Sequence, residues 1–269
     1  MANLVAYMHG RETAGKINID KKTAVFENAS DMSDFVVYKW KEMSRTAIKS
    51  KGRFDVALSG GTTPATLYQK LADTDNAIDW DKTHIFIVDE RFVPFNNDKS
   101  NYKMIRSTLL DNIEIPKQNV HPVPTSGDSP SAAALTYEQD LTSHFDLSQN
   151  KLPEFDLILL GIGEDGHTAS LFPNSPALDV TEHLTASVSP EDLAKQERIT
   201  LTFPVINNAK NVFFLVSGTN KAEVIDKIIN GNDRSLPAAN VNPAIGELFF
   251  LLDKDAASLL PDTNNNKEE

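Results

Sequence analysis

Short apolar segments rich in β-branched and aromatic residues recur along the chain and alternate with segments of helical periodicity. The apolar segments have the length of strands and few polar interruptions, which is typical of strands buried on both faces of a parallel sheet. They are Phe54–Leu58, His84–Val88, Asp156–Leu160, Val212–Val216 and Glu247–Leu252. The predicted helices are Ser33–Ser50, Pro64–Leu71, Tyr102–Leu110, Ala132–Phe145 and Lys221–Ile229. This alternation predicts an α/β fold built on an open, mostly parallel sheet with helices on both faces.

The predicted elements follow one another without a linker that would separate two domains. Thr125–Pro130 is rich in turn residues, but it opens a predicted helix. Asp179–Glu197 is polar, and its pattern indicates no definite element. We therefore predict one α/β domain over residues 1–261, followed by a disordered polar tail over residues 262–269.

Composition and charge exclude several classes of function. The 269 residues include 26 Lys and Arg against 38 Asp and Glu, a formal net charge of −12, which argues against sequence-independent binding of nucleic acid. The chain has no cysteine, which excludes disulfides, thiol nucleophiles and Cys-ligated metals. Residues 1–10 lack the pattern of a signal peptide, and no stretch is apolar for long enough to span a bilayer. We expect a cytoplasmic protein with neither a nucleic-acid nor a membrane partner, and we infer no obligate protein partner.

Four segments of glycine, hydroxyl and charged residues each begin directly after a predicted strand. They are Ser59–Pro64, Asp89–Arg91, Gly161–His167 and Ser217–Lys221. In an open parallel sheet the carboxyl ends of the strands meet at one edge, where such folds bind their ligands. The sequence therefore predicts a ligand site built from these four segments.

The segment Ser59–Pro64 has the features of an anion cradle. Gly60 and Gly61 allow backbone N–H groups to approach a ligand. Thr62 or Thr63 can cap the next helix, and the proline that follows suits a first helical turn. A helix N-terminus favours phosphate through its free N–H groups and its dipole. A tight strand–helix turn with an ordinary cap is an equally good interpretation of this segment alone.

Two further segments contribute charged side chains. Arg91 offers a planar, permanently charged group for a phosphate or a developing oxyanion, and Asp89 and Glu90 could hold that group in place. Lys221 stands at the start of a predicted helix, where a cation is unfavourable unless an anion binds beside it. The structural alternatives are that Asp89–Arg91 are solvated charges at the end of a strand and that Lys221 is an ordinary surface lysine.

The segment Gly161–His167 contains the pattern GxGxxG after a predicted strand. A dinucleotide site is a poor interpretation, because Glu164 and Asp165 would repel a pyrophosphate and Pro173 soon interrupts the following helical pattern. We interpret the segment as a turn that presents His167 for proton transfer, with Asp165 fixing its tautomer. No second histidine lies at metal-ligand spacing from His167, so we expect no metal. The other histidines are assigned to structural or exposed positions: His9, His84, His121, His144 and His183.

A series of segments over about nine-tenths of the chain resembles the 6-phosphogluconolactonases. They are Leu58–Pro64, Asp89–Arg91 with Ser100–Tyr102, Gly161–Pro173, Arg198–Thr202, Ser217–Ala222, Leu236–Ala239 and Phe250–Asp253. The segment Gly161–Pro173 is the most specific of them. The chain departs from the family pattern at two positions. It has Phe250 where the family often has a tryptophan nearby, and Ala239 where the family often has a serine.

The resemblance implies hydrolysis of 6-phospho-D-glucono-1,5-lactone to 6-phospho-D-gluconate, in the oxidative pentose phosphate pathway, without a metal or an organic cofactor. It implies a fold like that of glucosamine-6-phosphate deaminase and ribose-5-phosphate isomerase. His167 would be the general base, oriented by Asp165, and Arg91 and Lys221 would be phosphate or oxyanion partners. The residues expected to bind the substrate and its phosphate are Ser59, Gly60, Gly61, Thr62, Thr63, Asp89 and Lys221.

Two alternatives stay open beside the lactonase interpretation. A glucosamine-6-phosphate deaminase or a related sugar-phosphate isomerase would use the same fold and a histidine after the same strands. Thr168–Pro173 resembles the lactonases, whereas the deaminases continue with a segment of the Asn-Glu-Pro type. A non-catalytic sugar-phosphate sensor is the other alternative, which the presence of both His167 and Asp165 disfavours.

Overall fold

The computed structural model describes residues 17–18, 22–74, 77–148, 151–189 and 196–261. The predicted tail, residues 262–269, and His9 lie outside the described residues. The strands are β1 (Ile17–Asn18), β2 (Thr23–Phe26), β3 (Phe54–Leu58), β4 (Thr83–Ile87), β5 (Asp89–Arg91), β6 (Val120–His121), β7 (Leu157–Leu160), β8 (Thr185–Val188), β9 (Arg198–Leu201), β10 (Asn211–Val216) and β11 (Glu247–Asp253). The α-helices are α1 (Ala29–Lys51), α2 (Thr62–Ala72), α3 (Asn101–Thr108), α4 (Pro130–His144), α5 (Phe203–Ile206) and α6 (Ala222–Ile229).

The main sheet has eight strands in the order β1-β2-β11-β10-β7-β3-β4-β6. All neighbouring pairs are parallel except β1 and β2, which are antiparallel. The five strands predicted from sequence form the contiguous centre of this sheet, and the predicted α/β fold with a mostly parallel sheet is confirmed. β1, β2 and β6 were not predicted, because strands of two to four residues are too short to show a pattern.

A second, antiparallel sheet of three strands, in the order β5-β9-β8, was not predicted. Asp89–Arg91 was expected to be a loop after a strand, but it forms β5 and pairs with β9. Val88 joins the two sheets, because its N–H donates to the Leu58 carbonyl at 2.9 Å and its carbonyl accepts from the Leu201 N–H at 2.9 Å. The pairing partner of Arg91 in this small sheet is Arg198.

Local signals explain where the longer helices begin and end. The Asn28 side chain accepts a hydrogen bond from the Asp31 N–H at 2.9 Å and so caps α1. Gly52 ends the helix with φ of 84°, a left-handed conformation that glycine adopts without strain. Ser129 caps α4, and Pro130 occupies its first turn, as the turn-rich segment before this helix predicts.

The space between the sheet and its helices is filled by one hydrophobic cluster. Trp40 of α1 is fully buried and packs edge-on against Phe54 of β3, with the ring centroids 5.3 Å apart. Tyr137 of α4 is also fully buried, and its hydroxyl both donates to the Ile87 carbonyl and accepts from the Ile87 N–H, at 2.8 and 2.9 Å. This contact satisfies the backbone where β4 leaves the main sheet. Within the described ranges, no helix has the length and apolarity needed to cross a membrane.

Candidate active site

A cleft of about 250 Å³ lies at the carboxyl ends of the central strands β10, β7, β3 and β4. Because these four strands are neighbours and parallel, the segments that follow them converge, although they are far apart in the sequence. The predicted site residues that line the cleft are Ser59, Gly60, Gly61, Thr62, Thr63, Asp89, Arg91, His167 and Lys221. Asp165, the remaining predicted residue, does not line the cleft but contacts His167.

The turn after β7 fixes the orientation of the His167 ring. Its Nδ1 lies 2.5 Å from Asp165 Oδ1, and the same carboxylate oxygen accepts the His167 backbone N–H at 3.1 Å. Burial acts to raise the pKa of Asp165, but the contacts from His167 outweigh burial and hold the pKa of this carboxyl below its usual value. A carboxylate on Nδ1 places the proton there and leaves the lone pair on Nε2. The Phe172 ring packs against the imidazole, with the centroids 4.5 Å apart.

The segment after β3 begins helix α2 without a side-chain cap. Gly61 is the N-cap residue, with φ of 117°, and the prediction that Thr62 or Thr63 caps the helix is wrong. Thr63 Oγ1 instead lies 2.7 Å from Ser217 Oγ, a contact between the segments after β3 and β10. Among the described residues, no side chain accepts from the N–H groups of the first turn of α2, which suits an anion in the cleft.

Asp89 is held by two side chains, those of Ser170 and Asn101. Its Oδ2 accepts a hydrogen bond from Ser170 Oγ at 2.6 Å, and its carbonyl accepts one from Asn101 Nδ2 at 2.7 Å. The Asn101 side chain lies directly over Gly60, where an added Cβ would come within 1.9 Å of Asn101 Oδ1. Only glycine is therefore compatible with this packing at position 60.

Glu90 anchors α3 to β5 and is fully buried. Its carboxylate accepts the backbone N–H groups of Arg91, Asn101 and Tyr102, each at 2.7 Å, and the Ser100 hydroxyl at 3.0 Å. Burial raises the pKa of Glu90, and these four hydrogen bonds oppose that shift. The prediction that Asp89 and Glu90 hold the Arg91 guanidinium is wrong, because both carboxylates are engaged elsewhere.

The Arg91 side chain is held by a backbone carbonyl instead. Its Nη1 donates to the Lys99 carbonyl at 2.8 Å, while its Nε is buried and has no hydrogen-bond partner among the described residues. Ser59 Oγ is a second buried atom without a described partner at the cleft. Buried polar groups in native proteins are rarely left unpaired, and both of these atoms belong to residues that line the cleft.

Lys221 reaches the cleft from the turn between β10 and α6. No ion pair of its ammonium group occurs within the part of the chain that the structure describes. Asp253, at the end of β11, accepts the Gly218 N–H at 3.1 Å, and Asn220 Nδ2 donates to Glu164 Oε1 at 2.6 Å. The first contact ties the Lys221 turn to the end of β11, and the second ties it to the turn that carries His167.

The chain is similar over most of its length to a family of known proteins. A family model described as glucosamine-6-phosphate isomerases/6-phosphogluconolactonase matches residues 27–250. The chain belongs to this family. It is 44% identical over 216 residues to a 6-phosphogluconolactonase of Synechocystis sp., a match that covers 80% of this chain and 88% of the relative.

Solved structures of family members have the same fold. A 6-phosphogluconolactonase from Thermotoga maritima matches with a TM-score of 0.74 and 33% identity, over 86% of this chain and 99% of that one. A 6-phosphogluconolactonase from Trypanosoma cruzi matches with a TM-score of 0.78 and 29% identity, over 90% of this chain and 97% of that one.

Arg198 is a charged residue of the cleft that was not predicted from the sequence. It lines the cleft from β9, opposite Arg91, and its guanidinium lies 5.2 Å from the centroid of the Phe172 ring. Burial lowers the pKa of Arg198; the nearby charge of Asp89 opposes this shift, and the smaller effect of Arg91 adds to it. Arg198 begins the segment Arg198–Thr202, which resembles the family, and this was a signal for its role. No predicted strand placed the segment beside the other loops of the site.

Gly163 is the glycine on which the position of the His167 ring depends. A Cβ at position 163 would come within 2.1 Å of His167 Nδ1 and 2.6 Å of Asp165 Oδ1. We expect Gly163→Ala to displace the imidazole by about an ångström and to lower kcat by about 100-fold. Steady-state kinetics would measure this, with Gly127→Ala as the control, since a Cβ there has no neighbour within 4 Å. Unchanged kcat in Gly163→Ala would show that the observed ring position is not needed for turnover.

Proposed function

We propose that this protein hydrolyses 6-phospho-D-glucono-1,5-lactone to 6-phospho-D-gluconate. The observation that carries the proposal is the His167–Asp165 pair, whose ring faces a cleft that also contains the cationic side chains of Arg91, Arg198 and Lys221. A general base beside several cations suits a substrate that carries a phosphate and develops an oxyanion. The names of the relatives support the same substrate.

In the first step, His167 acts as the general base. Its Nε2 takes a proton from water while the water oxygen bonds to the lactone C1, and the carbonyl electrons move onto the oxygen. Asp165 holds the Nδ1 proton and stabilises the imidazolium that forms. In the second step the carbonyl re-forms, the bond between C1 and the ring oxygen breaks, and that oxygen receives the proton from His167. The product is an open-chain acid, and its proton is released to solvent.

The cations divide between the two negative groups of the substrate. We assign Arg198 and Arg91 to the developing oxyanion, because Arg198 contacts the Phe172 ring that packs against His167, and Arg91 is its pairing partner in the small sheet. We assign Lys221 and the N-terminus of α2 to the phosphate. The segments of Thr63 and Ser217 are in direct contact, so the first turn of α2 and the Lys221 turn can hold one anion between them.

The direct test of this function is proton release from freshly generated 6-phosphogluconolactone in weak buffer. We expect the protein at catalytic concentration to accelerate proton release well above spontaneous hydrolysis of the lactone. A parallel reaction with glucosamine-6-phosphate should release no ammonia, because Thr168–Pro173 differs from the deaminase segment. Ammonia release without lactone hydrolysis would replace this proposal with a deaminase.

A further inference from the structure

Three histidines that the sequence spreads over 61 positions meet in the structure. His84 of β4, His121 of β6 and His144 at the end of α4 each offer a ring nitrogen, and these three atoms lie within 4.8 Å of one another. The cluster lies towards the amino ends of the strands, and none of the three residues lines the cleft. Asp89 follows His84 by five positions, which is about 16 Å of extended chain.

We propose that His84, His121 and His144 form a binding site for a divalent transition-metal ion of the zinc type. Neutral imidazoles are preferred ligands of Zn²⁺, and three of them leave a fourth position for water. The site would fasten the end of α4 to two strands of the main sheet. It is separate from the lactone-hydrolysing cleft and does not depend on the proposed function.

The closest pair of nitrogens already has the spacing that a metal requires. His84 Nδ1 lies 3.3 Å from His121 Nε2. Two Zn–N bonds of about 2.0–2.1 Å at a tetrahedral angle separate their nitrogens by about 3.3–3.4 Å. An ion would take the place of this hydrogen bond, and His144, with a nitrogen within 4.8 Å, would have to move closer.

Carboxylates orient two of the three rings for metal binding. His121 Nδ1 lies 2.9 Å from Asp140 Oδ2, and His144 Nε2 lies 2.7 Å from Asp55 Oδ1. A carboxylate on one ring nitrogen places the proton there and leaves a lone pair on the other, which is the usual arrangement of metal-binding histidines. The rings are also fixed by packing, because Phe86 stacks on His121 with the centroids 4.0 Å apart and the planes within 3°.

Local charge does not oppose a cation at this site. Lys51 and Arg53 are the nearby positive groups, and both form salt bridges to Asp55. Asp140 adds a negative charge on the side of His121, where its side chain is 42% exposed. The buried Asp55 and the half-exposed Asp140 thus balance the two basic residues.

Calorimetric titration of the full-length, metal-free protein with Zn²⁺ tests the proposal. We expect one ion per chain, bound equally by wild type and by His167→Gln, which excludes binding at the cleft. His121→Phe keeps a ring on Phe86 and should weaken affinity at least about 100-fold. Asp140→Asn should weaken it about 10–100-fold. His183→Ala, at an exposed histidine outside the cluster, is the matched control and should bind like wild type.

Thermal unfolding and Co²⁺ spectroscopy supply readouts that do not depend on any variant. Zn²⁺ at a hundred times its Kd should raise the melting temperature of wild type by about 5–10 °C, whereas Mg²⁺ should not. Co²⁺ should show the visible absorption of a tetrahedral nitrogen site. Absence of Zn²⁺ binding at micromolar concentration, or equal affinity in wild type and a folded His121→Phe, would overturn the proposal. Binding that disappears in His167→Gln would overturn it as well.

Discussion

Replacing His167 with alanine is expected to lower kcat for 6-phosphogluconolactone by about 10²–10⁴-fold, the usual contribution of general acid–base catalysis. The ring is held by Asp165 and Phe172 at the cleft and is partly exposed, so its removal should leave the core intact. Stopped-flow proton release would measure kcat, and circular dichroism would confirm the fold. KM should change far less than kcat, because His167 acts on water and on the leaving oxygen.

Two further variants sharpen this prediction. Asp165→Asn should lower kcat by an amount comparable to or smaller than that of His167→Ala. The amide can still contact the ring, but it no longer stabilises the imidazolium. His183→Ala removes an exposed histidine that pairs with Glu138, and its kcat should equal that of wild type. If His167→Ala retains the kcat of wild type, water is activated by another group and the mechanism is wrong.

Replacing Lys221 with alanine is expected to lower kcat/KM for the phosphorylated lactone by about 10–150-fold. This range corresponds to the loss of about 1.5–3 kcal/mol for a charge-assisted contact with phosphate. The same variant should hydrolyse unphosphorylated glucono-1,5-lactone at nearly the rate of wild type, because that substrate has no phosphate to lose. Measuring kcat/KM for both lactones therefore separates phosphate binding from chemistry.

The matched control for this prediction is Lys227→Ala, a lysine exposed on α6 and absent from the cleft. It should leave kcat/KM for both lactones unchanged. Equal losses with both lactones in Lys221→Ala would place Lys221 at the lactone carbonyl. If Lys221→Ala keeps the kcat/KM of wild type for both lactones, Lys221 is an ordinary surface lysine.

The central strands and the order of the site segments could be read from the sequence because each depends on local information. Buried parallel strands produce continuous apolar runs, and glycine-rich or charged residues after such runs mark the ligand edge of the sheet. The fold and family membership followed from these patterns and from the motifs after the strands. The pairing of Asp165 with His167 was also predictable, since the two residues are neighbours in one turn.

Contacts between distant segments could be decided only by the tertiary structure. Asp89 and Glu90 were expected to hold Arg91, but the folded chain brings Ser170 and the N-terminus of α3 to these carboxylates instead. Thr62 or Thr63 was expected as a helix cap, but Thr63 forms a hydrogen bond with Ser217 at the edge of the cleft instead.

The second sheet, and the residues that it contributes to the cleft, could likewise be known only from the tertiary structure. Arg198 reaches the cleft only because β4 continues into a short strand that pairs with β9, and no local pattern encodes that pairing. His84, His121 and His144 looked unrelated because metal-ligand spacing in a sequence reports only ligands on one local element. The sequence by itself determined the five central strands, the longer helices and the side chains that follow those strands. Only the pairing of strands and the packing of helices on the sheet decided which of these side chains meet, because such contacts depend on the positions of residues far apart in the chain.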